Sequence, residues 1–296
     1  MSEIQLLAER HLPTLLKWIN RLPYEYGWDM RALRFRTLED PTYRPELMLV
    51  IEEGGESLAF ALGNIRDEQG WIKLFVVRPD LQRQGLGSRL LSGLERRFRK
   101  AGVSQITAGR CPLTYFSIGW DARYTEAAAF LHGQGYTRTQ RTRSNMWVDL
   151  AGRDFSTANL ERRLLDQHGI RFRRATAADK EAVIALAGDH SAIWGIEMTL
   201  AYTNEPVSLF VADQKGKLCG FGCYGTGGPM YFGPTLTLPA LRGLGIGTVT
   251  LKRCLADMQR LGWRRIEINS AGPIAFYARA VDARIGRLLW DWEKEL

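Results

Sequence analysis

One short segment of this 296-residue chain occurs twice in the same register. Pro79-Asp80-Leu81-Gln82-Arg83-Gln84-Gly85-Leu86-Gly87 returns as Pro239-Ala240-Leu241-Arg242-Gly243-Leu244-Gly245-Ile246-Gly247. The offset is 160 residues (239 − 79 = 160), and Gly102 and Gly262 repeat it. A duplication at fixed spacing constrains the chain to two related domains, each near the usual size of about 150 residues. Each copy follows an apolar, strand-like run and opens an amphipathic helix. A glycine turn at that junction is a place to hold phosphate, because the first N–H groups of a helix lack internal partners and the helix dipole adds partial positive charge.

The two halves read in parallel. Ile4–Leu7 and Ile170–Arg174 are opening strands, followed by helical patterns over His11–Asn20 and Ala177–Ala187. Hairpins come next, Leu47–Glu52 with Ser57–Asn64 and Ser208–Asp213 with Leu218–Tyr224. Trp71–Val77 and Tyr231–Leu238 lead into the repeated loops. The helices beyond carry the stripes Leu90, Leu91, Leu94, Phe98 and Leu251, Cys254, Leu255, Met258, Leu261. Gly102 and Gly262 mark helix ends that need a left-handed residue. Val103–Ala108 and Trp263–Asn269 are further strands. The expected division is a domain over residues 1–150, a polar linker over 151–169 with a short helix near Asn159–Gln167, and a domain over 170–296.

The halves part after that strand. The helix with Phe130-Leu131 matches the one with Phe276-Tyr277 at an offset of 146 (276 − 130 = 146). The first half therefore holds 14 more residues (160 − 146 = 14), within Cys111–Thr125. That stretch carries Tyr115, Phe116, Trp120, Asp121, Arg123 and Tyr124, and either lining a site or packing against the other domain accounts for it.

Composition narrows the partners. The net charge of +8 divides evenly, +4 over residues 1–150 and +4 over the rest, so there is no basic tail, and no aromatic platform accompanies Arg96, Arg97, Arg99 and Lys100. A nucleic-acid partner is not expected. The chain has no run of about 18 apolar residues and no basic, apolar leader at its N-terminus, so neither a membrane span nor a secretory signal is read. Four scattered cysteines and four unclustered histidines give no metal site and fit a reducing, cytoplasmic setting.

Neither loop has the Gly-Lys-Ser/Thr ending of a P-loop or the third glycine of a dinucleotide fingerprint. The pattern Gln82-x-x-Gly85-x-Gly87 and Arg242-x-x-Gly245-x-Gly247, set between a strand and a long helix, resembles the acyl-CoA loop of the GNAT acetyltransferase superfamily. The order of elements agrees over nearly all of both halves. The resemblance implies an α/β fold, with two tandem GNAT-like domains, each a mostly antiparallel twisted mixed sheet flanked by helices.

It further implies an acetyl-CoA-dependent N-acetyltransferase that works by direct transfer to the primary amine of a small acceptor. The alternative is a non-catalytic acyl-CoA-binding or interaction protein on degenerate domains. Backbone N–H groups of Gln82, Arg83, Gln84, Gly85, Leu86, Gly87 and Ser88, and of Arg242, Gly243, Leu244, Gly245, Ile246, Gly247 and Thr248, would hold the pyrophosphate. Val76, Val77, Leu236 and Thr237 would pair with the pantetheine arm as with an added strand. Tyr277 matches the position of the tyrosine that protonates the departing thiolate, whereas the first half has Leu131 there. Chemistry is therefore expected in the second domain, with His190 as a candidate base. Neither Trp71–Val77 nor Tyr231–Leu238 holds the glutamate many members use as base. Glu197 lies with His190 where the second site would be bordered, and Trp194 and Tyr202 either line an acceptor pocket or, the reading preferred, pack against the core. A monomer or homodimer is expected, with no metal.

Overall fold

A computed structural model describes residues 3–25, 27–66 and 68–296, and in it the repeat appears as two compact units. The first is the chain up to Arg143 together with Arg287–Leu296, and the second is Ser144–Gly286.

In chain order, the first half holds β1 (Glu3–Leu6), α1 (Leu12–Ile19), α2 (Met30–Arg36), β2 (Met48–Glu53), β3 (Glu56–Arg66), β4 (Gln69–Val77), α3 (Leu86–Lys100), β5 (Gln105–Ala108), β6 (Trp120–Asp121), α4 (Thr125–Gly133) and β7 (Thr137–Asp149). The second holds α5 (Ala158–His168), β8 (Ile170–Arg174), α6 (Lys180–His190), α7 (Ala192–Ala201), β9 (Leu209–Gln214), β10 (Lys217–Tyr224), β11 (Tyr231–Thr237), α8 (Ile246–Arg260), β12 (Arg265–Ile268), α9 (Ile274–Val281) and β13 (Arg284–Glu295). Among the described residues, no helix is long and apolar enough to cross a membrane.

In unit 1 the strands run β1-β2-β3-β4-β5 and end on β13, all antiparallel except β4 with β5. The strand period of two sorts β2 between two cores. Leu49 and Ile51 pack with Leu90, Leu91, Leu94 and Phe98 of α3, while Met48 and Val50 pack with Leu12, Leu15 and Leu33 of α1 and α2. Each such side chain contributes roughly 1.5–3 kcal/mol on burial, which is why β2 reads as a continuous apolar run. Unit 2 repeats the plan. Its order is β8-β9-β10-β11-β12 ending on β7, with β11 and β12 parallel. α8 covers one face, and α6 and α7 the other.

The last strand of each plan comes from the other half of the sequence. Ala108 of β5 faces Trp292 of β13, and Ile268 of β12 faces Met146 of β7. Trp292 and Met146 are 146 apart (292 − 146 = 146), the offset that relates Phe276 to Phe130. β7 starts in unit 1 and ends in unit 2, while β13 does the reverse. The units therefore differ from the sequential division at 150 and 170, because a strand takes the hydrogen-bonding edge that fits it rather than the one nearest in sequence. The stretch read as a linker holds α5, which packs within unit 2. Two helices, α2 and α7, are additional to the sequence reading.

Candidate functional site

Both loops take one backbone shape. Arg83 and Gly85 have φ of 63° and 84°, and Gly243 and Gly245 have 85° and 110°, so the same two positions are left-handed in each copy. Alternating left-handed residues turn successive N–H groups to one side and form an anion-binding concavity. A non-glycine residue there costs about 1–2 kcal/mol; Arg83 accepts that cost where the second copy has glycine. The first helical bonds run from Arg89 N to Gly85 O (3.0 Å) and from Val249 N to Gly245 O (3.1 Å), again at matching positions. The N–H groups of Leu86, Gly87 and Ser88 precede that bond. The side chain at the head of each loop ties back to its strand: Gln82 Nε2 donates to Val77 O (3.4 Å), and Arg242 Nε to Thr237 O (3.3 Å). A Cβ on Gly87 would lie 3.4 Å from Phe130, and one on Gly247 the same distance from Phe276. The two phenylalanines are thus structural equivalents.

Beside the first loop the sheet opens. β4 and β5 pair in parallel only as far as Ile72 and Ala108, and Gly109 N donates to Ile72 O (3.1 Å). Beyond that point β4 continues to Val77 while the chain after β5 turns away. A cleft of about 870 Å³ lies along the exposed edge. One wall is Lys73–Val77 running into Gln82, Arg83, Gly85, Gly87 and Ser88. The facing wall is Phe116, Ser117, Gly119, Trp120, Asp121 and Tyr124 from the longer loop, and Ile19, Leu22, Pro23, Glu25 and Trp28 close one end. Phe75 and Phe130 stack at 5.2 Å within it.

Charge in this cleft is held in two networks. Arg287, only 2% exposed, donates to Glu25 and, through Nε, to Asp121 (2.9 Å). Arg123 also donates to Asp121 (Nε 2.9 Å, Nη2 2.6 Å) and lies 4.0 Å over the Tyr24 ring, which meets Tyr124 edge-on at 5.1 Å. Burial opposes ionisation of Asp121, but the Arg123 and Arg287 bonds outweigh it and hold the carboxyl below its ordinary range. Burial, and next the Glu25 charge, push the Tyr124 hydroxyl above the usual phenol range. In the second network Lys73 donates to Asp40, to Arg36 O (2.7 Å) and to Thr114 Oγ1 (2.9 Å). All three ammonium protons are used, so Lys73 ties β4 to the segment after α2 and to the longer loop. Among the described residues, no group of three or more His, Cys, Asp or Glu side chains could hold a metal ion.

The second-domain candidates fall in different surroundings. Tyr277 is 5% exposed in the core of unit 2, edge-on to Phe232 at 6.3 Å and beside Phe276 at 5.0 Å, and burial raises its hydroxyl well above the phenol range. Leu131, its counterpart, is likewise core. His190 is the exposed last residue of α6 and stacks on Trp194 at 4.3 Å. Trp194 and Tyr202 pack against the core, and Glu197 is buried on α7. Leu236 and Thr237 end β11 as Val76 and Val77 end β4.

The cleft also contains what the sequence did not reveal. The aromatic loop announced itself by composition. Glu25 and Trp28 lie in a stretch without periodicity, and Arg287 reaches Glu25 across 262 residues.

A family profile described as "Acetyltransferase (GNAT) family" matches residues 13–112 and 177–281. No curated protein sequence matches the chain. Among solved structures, a "Tandem GNAT protein from the clavulanic acid biosynthesis pathway" has a TM-score of 0.71 at 18% identity, over 100% of this chain and 98% of its own. A GCN5-related N-acetyltransferase from Sphaerobacter thermophilus gives 0.65 at 17%, over 99% and 95%. A GCN5-related glucosamine N-acetyltransferase region of a fungal multi-domain β-N-acetylglucosaminidase gives 0.73 at 16%, over 99% of this chain. The chain spans 38% of that fungal protein. These likenesses extend over the whole two-unit plan and establish the fold.

Proposed function

The chain belongs to the GNAT acetyltransferase family as a tandem-domain member, and from that premise we propose that it is an acetyl-CoA-dependent N-acetyltransferase whose chemistry takes place in unit 1. The observation that carries this reading is the open cleft that runs without interruption from the Gln82–Ser88 loop along the free edge of β4. The Gly85 side of that loop is open, with nothing within 4 Å of where a Cβ would stand. There is room for a pyrophosphate against the N–H groups of Arg83 through Ser88. Val76 and Val77 border the cleft where an extended arm can add to the sheet. Bound acetyl-CoA supplies the acyl thioester and a thiolate leaving group.

The residues across the cleft divide the remaining work. Tyr124 is protonated at neutral pH, as any phenol is, burial raises its hydroxyl further, and it is the proposed donor in place of Leu131. Glu25, fixed by Arg287, faces the acceptor end and is the proposed carboxylate for the incoming primary amine. Ile19, Leu22, Pro23 and Trp28 give that end an apolar lining. Tyr277 and His190 receive no catalytic role in this reading. The first is enclosed by aromatic rings and the second is exposed on Trp194.

The test is calorimetry with acetyl-CoA, followed by thiol release with a panel of primary amines. Gly85→Glu should abolish binding, since a carboxylate would occupy the pyrophosphate position. Tyr124→Phe should bind normally and turn over about 10²–10³-fold more slowly, within the range seen for loss of an acid–base group. Tight binding without thiol release for any amine would favour a non-catalytic acyl-CoA-binding protein. Full binding by Gly85→Glu would end the reading.

A further inference from the structure

The second loop keeps the backbone of the first but not its freedom. A Cβ on Gly245 would come within 3.1 Å of Leu160 Cδ1 and 3.3 Å of its Cδ2, closer than ordinary contact, whereas the same space at Gly85 is open. Leu160 projects from α5, the helix in the stretch that the sequence presents as a polar linker. The contact is built rather than incidental. Leu160 and Leu164 of α5 pack with Leu241, Leu244, Ile246 and Val249, the residues around the second loop and at the start of α8. Arg163 Nη2 donates to Leu244 O (3.4 Å). Arg253 of α8 grips Glu161 of α5 with both arms of its guanidinium (Nε 2.8 Å, Nη2 2.5 Å), and Thr157 Oγ1 donates to the same carboxylate. A left-handed Gly169 ends α5 and turns the chain directly into β8.

We propose that α5 is an intramolecular plug on the second acyl-CoA loop, so that the protein holds one acyl-CoA, in unit 1, and masks a second site that is otherwise formed. The single-site part rests on the reading of unit 1 given above. The masking part rests on unit 2 alone. A phosphate oxygen must approach a loop N–H to about 2.9 Å, and the Leu160 methyl groups, packed against Gly245, crowd that approach. The loop itself needs no rebuilding: its left-handed positions, its first helical bond and the Gly247–Phe276 contact match those of the first copy. The leucine and its helix stand in the way.

Calorimetry of acetyl-CoA binding to the full chain separates the two parts. The wild type should bind one equivalent, Gly85→Glu none, and Gly245→Glu one. Leu160→Ala should raise the count to two, or make the second loop's affinity at least tenfold stronger than in the wild type, and Gly245→Glu added to it should remove the gain. If Leu160→Ala folds poorly, Arg253→Gln releases the Glu161 clamp while leaving the leucine in place, and should speed hydrogen exchange of the Ile246, Gly247 and Thr248 amides. If the folded wild type binds none but Leu160→Ala binds one, the plug stands and the unit 1 reading falls. Two equivalents bound by the wild type, or neither a binding gain in Leu160→Ala nor faster amide exchange in Arg253→Gln, would overturn the plug.

Discussion

Lys73 shows how a single residue sets the cleft. It lies on β4 just past the point where β5 departs, is 6% exposed, and spends its three protons on Asp40, Arg36 O and Thr114. Asp40 in turn accepts from Thr42 N (2.7 Å) and Asn64 Nδ2 (3.4 Å). Burial alone would raise the Asp40 carboxyl; the Lys73 charge and the converging donors more than offset it, and the carboxyl is held low. Removing one partner of such a pair leaves the other charge buried and costs about 3–5 kcal/mol. Lys73→Met should therefore destabilise unit 1 by that order in guanidinium unfolding followed by tryptophan fluorescence, and Lys73→Met with Asp40→Asn should recover part of it. The pH dependence has a defined sign. A carboxyl whose folded value is depressed contributes stability that is complete above the unfolded value, about 4, and is lost as pH falls through the folded value. Wild-type stability should thus decline with acid below about pH 4, and the double variant should lack that component of the slope. The sequence offers Lys73 only as a polar residue in an apolar strand. Its partners lie 33 and 41 positions away, beyond any local pattern.

Among elements, β13 carries the most for its length. Its last residues close the β5 edge of unit 1, bring Trp290 opposite Trp120 of β6, and place Arg287 between Glu25 and Asp121. A chain ending at Gly286 should keep unit 2 but lose the cleft. Acetyl-CoA binding should disappear, and the amides of β4 and β5 should exchange freely while those of β9 and β10 stay protected. Equal protection in both units would contradict the assignment of β13. Most elements were legible in advance because their signals are local. Hairpin turns, left-handed Gly102 and Gly262 (φ 80° and 92°), and stripes of helical period all act within a few residues. The repeat even predicted equivalence of Phe130 and Phe276, which the glycine contacts bear out. α2 and α7 were not legible, and neither was the role of α5, since a helix held mainly by what it packs against carries a weak signal of its own.

For the whole molecule, duplication and exchange act together. The offset of 160 made two domains plain, and the GNAT resemblance supplied their plan. Partner choice at the sheet edges stayed hidden, because period-2 alternation states that a strand exists and not which strand it meets. Ala108 of β5 and its partner Trp292 of β13 are 184 positions apart (292 − 108 = 184), and pairings so distant form late, since the loop closure must be met before any contact rewards it. During refolding, pulsed hydrogen exchange should protect the local pairs β2–β3 and β9–β10 before β5, with acetyl-CoA binding recovered last; β5 protected together with β2–β3 would contradict this order. The same separation has a meaning on the ribosome. At ~5–20 residues per second, roughly 10–35 s pass between synthesis of Ala108 and of Arg287. For that interval the first half emerges with an unmet β edge, Arg287 absent from its carboxylates, and a cleft with one wall unsupported. A nascent chain in that state carries an unpaired edge open to wrong pairing, and a message truncated near its 3′ end would yield a first half that cannot finish.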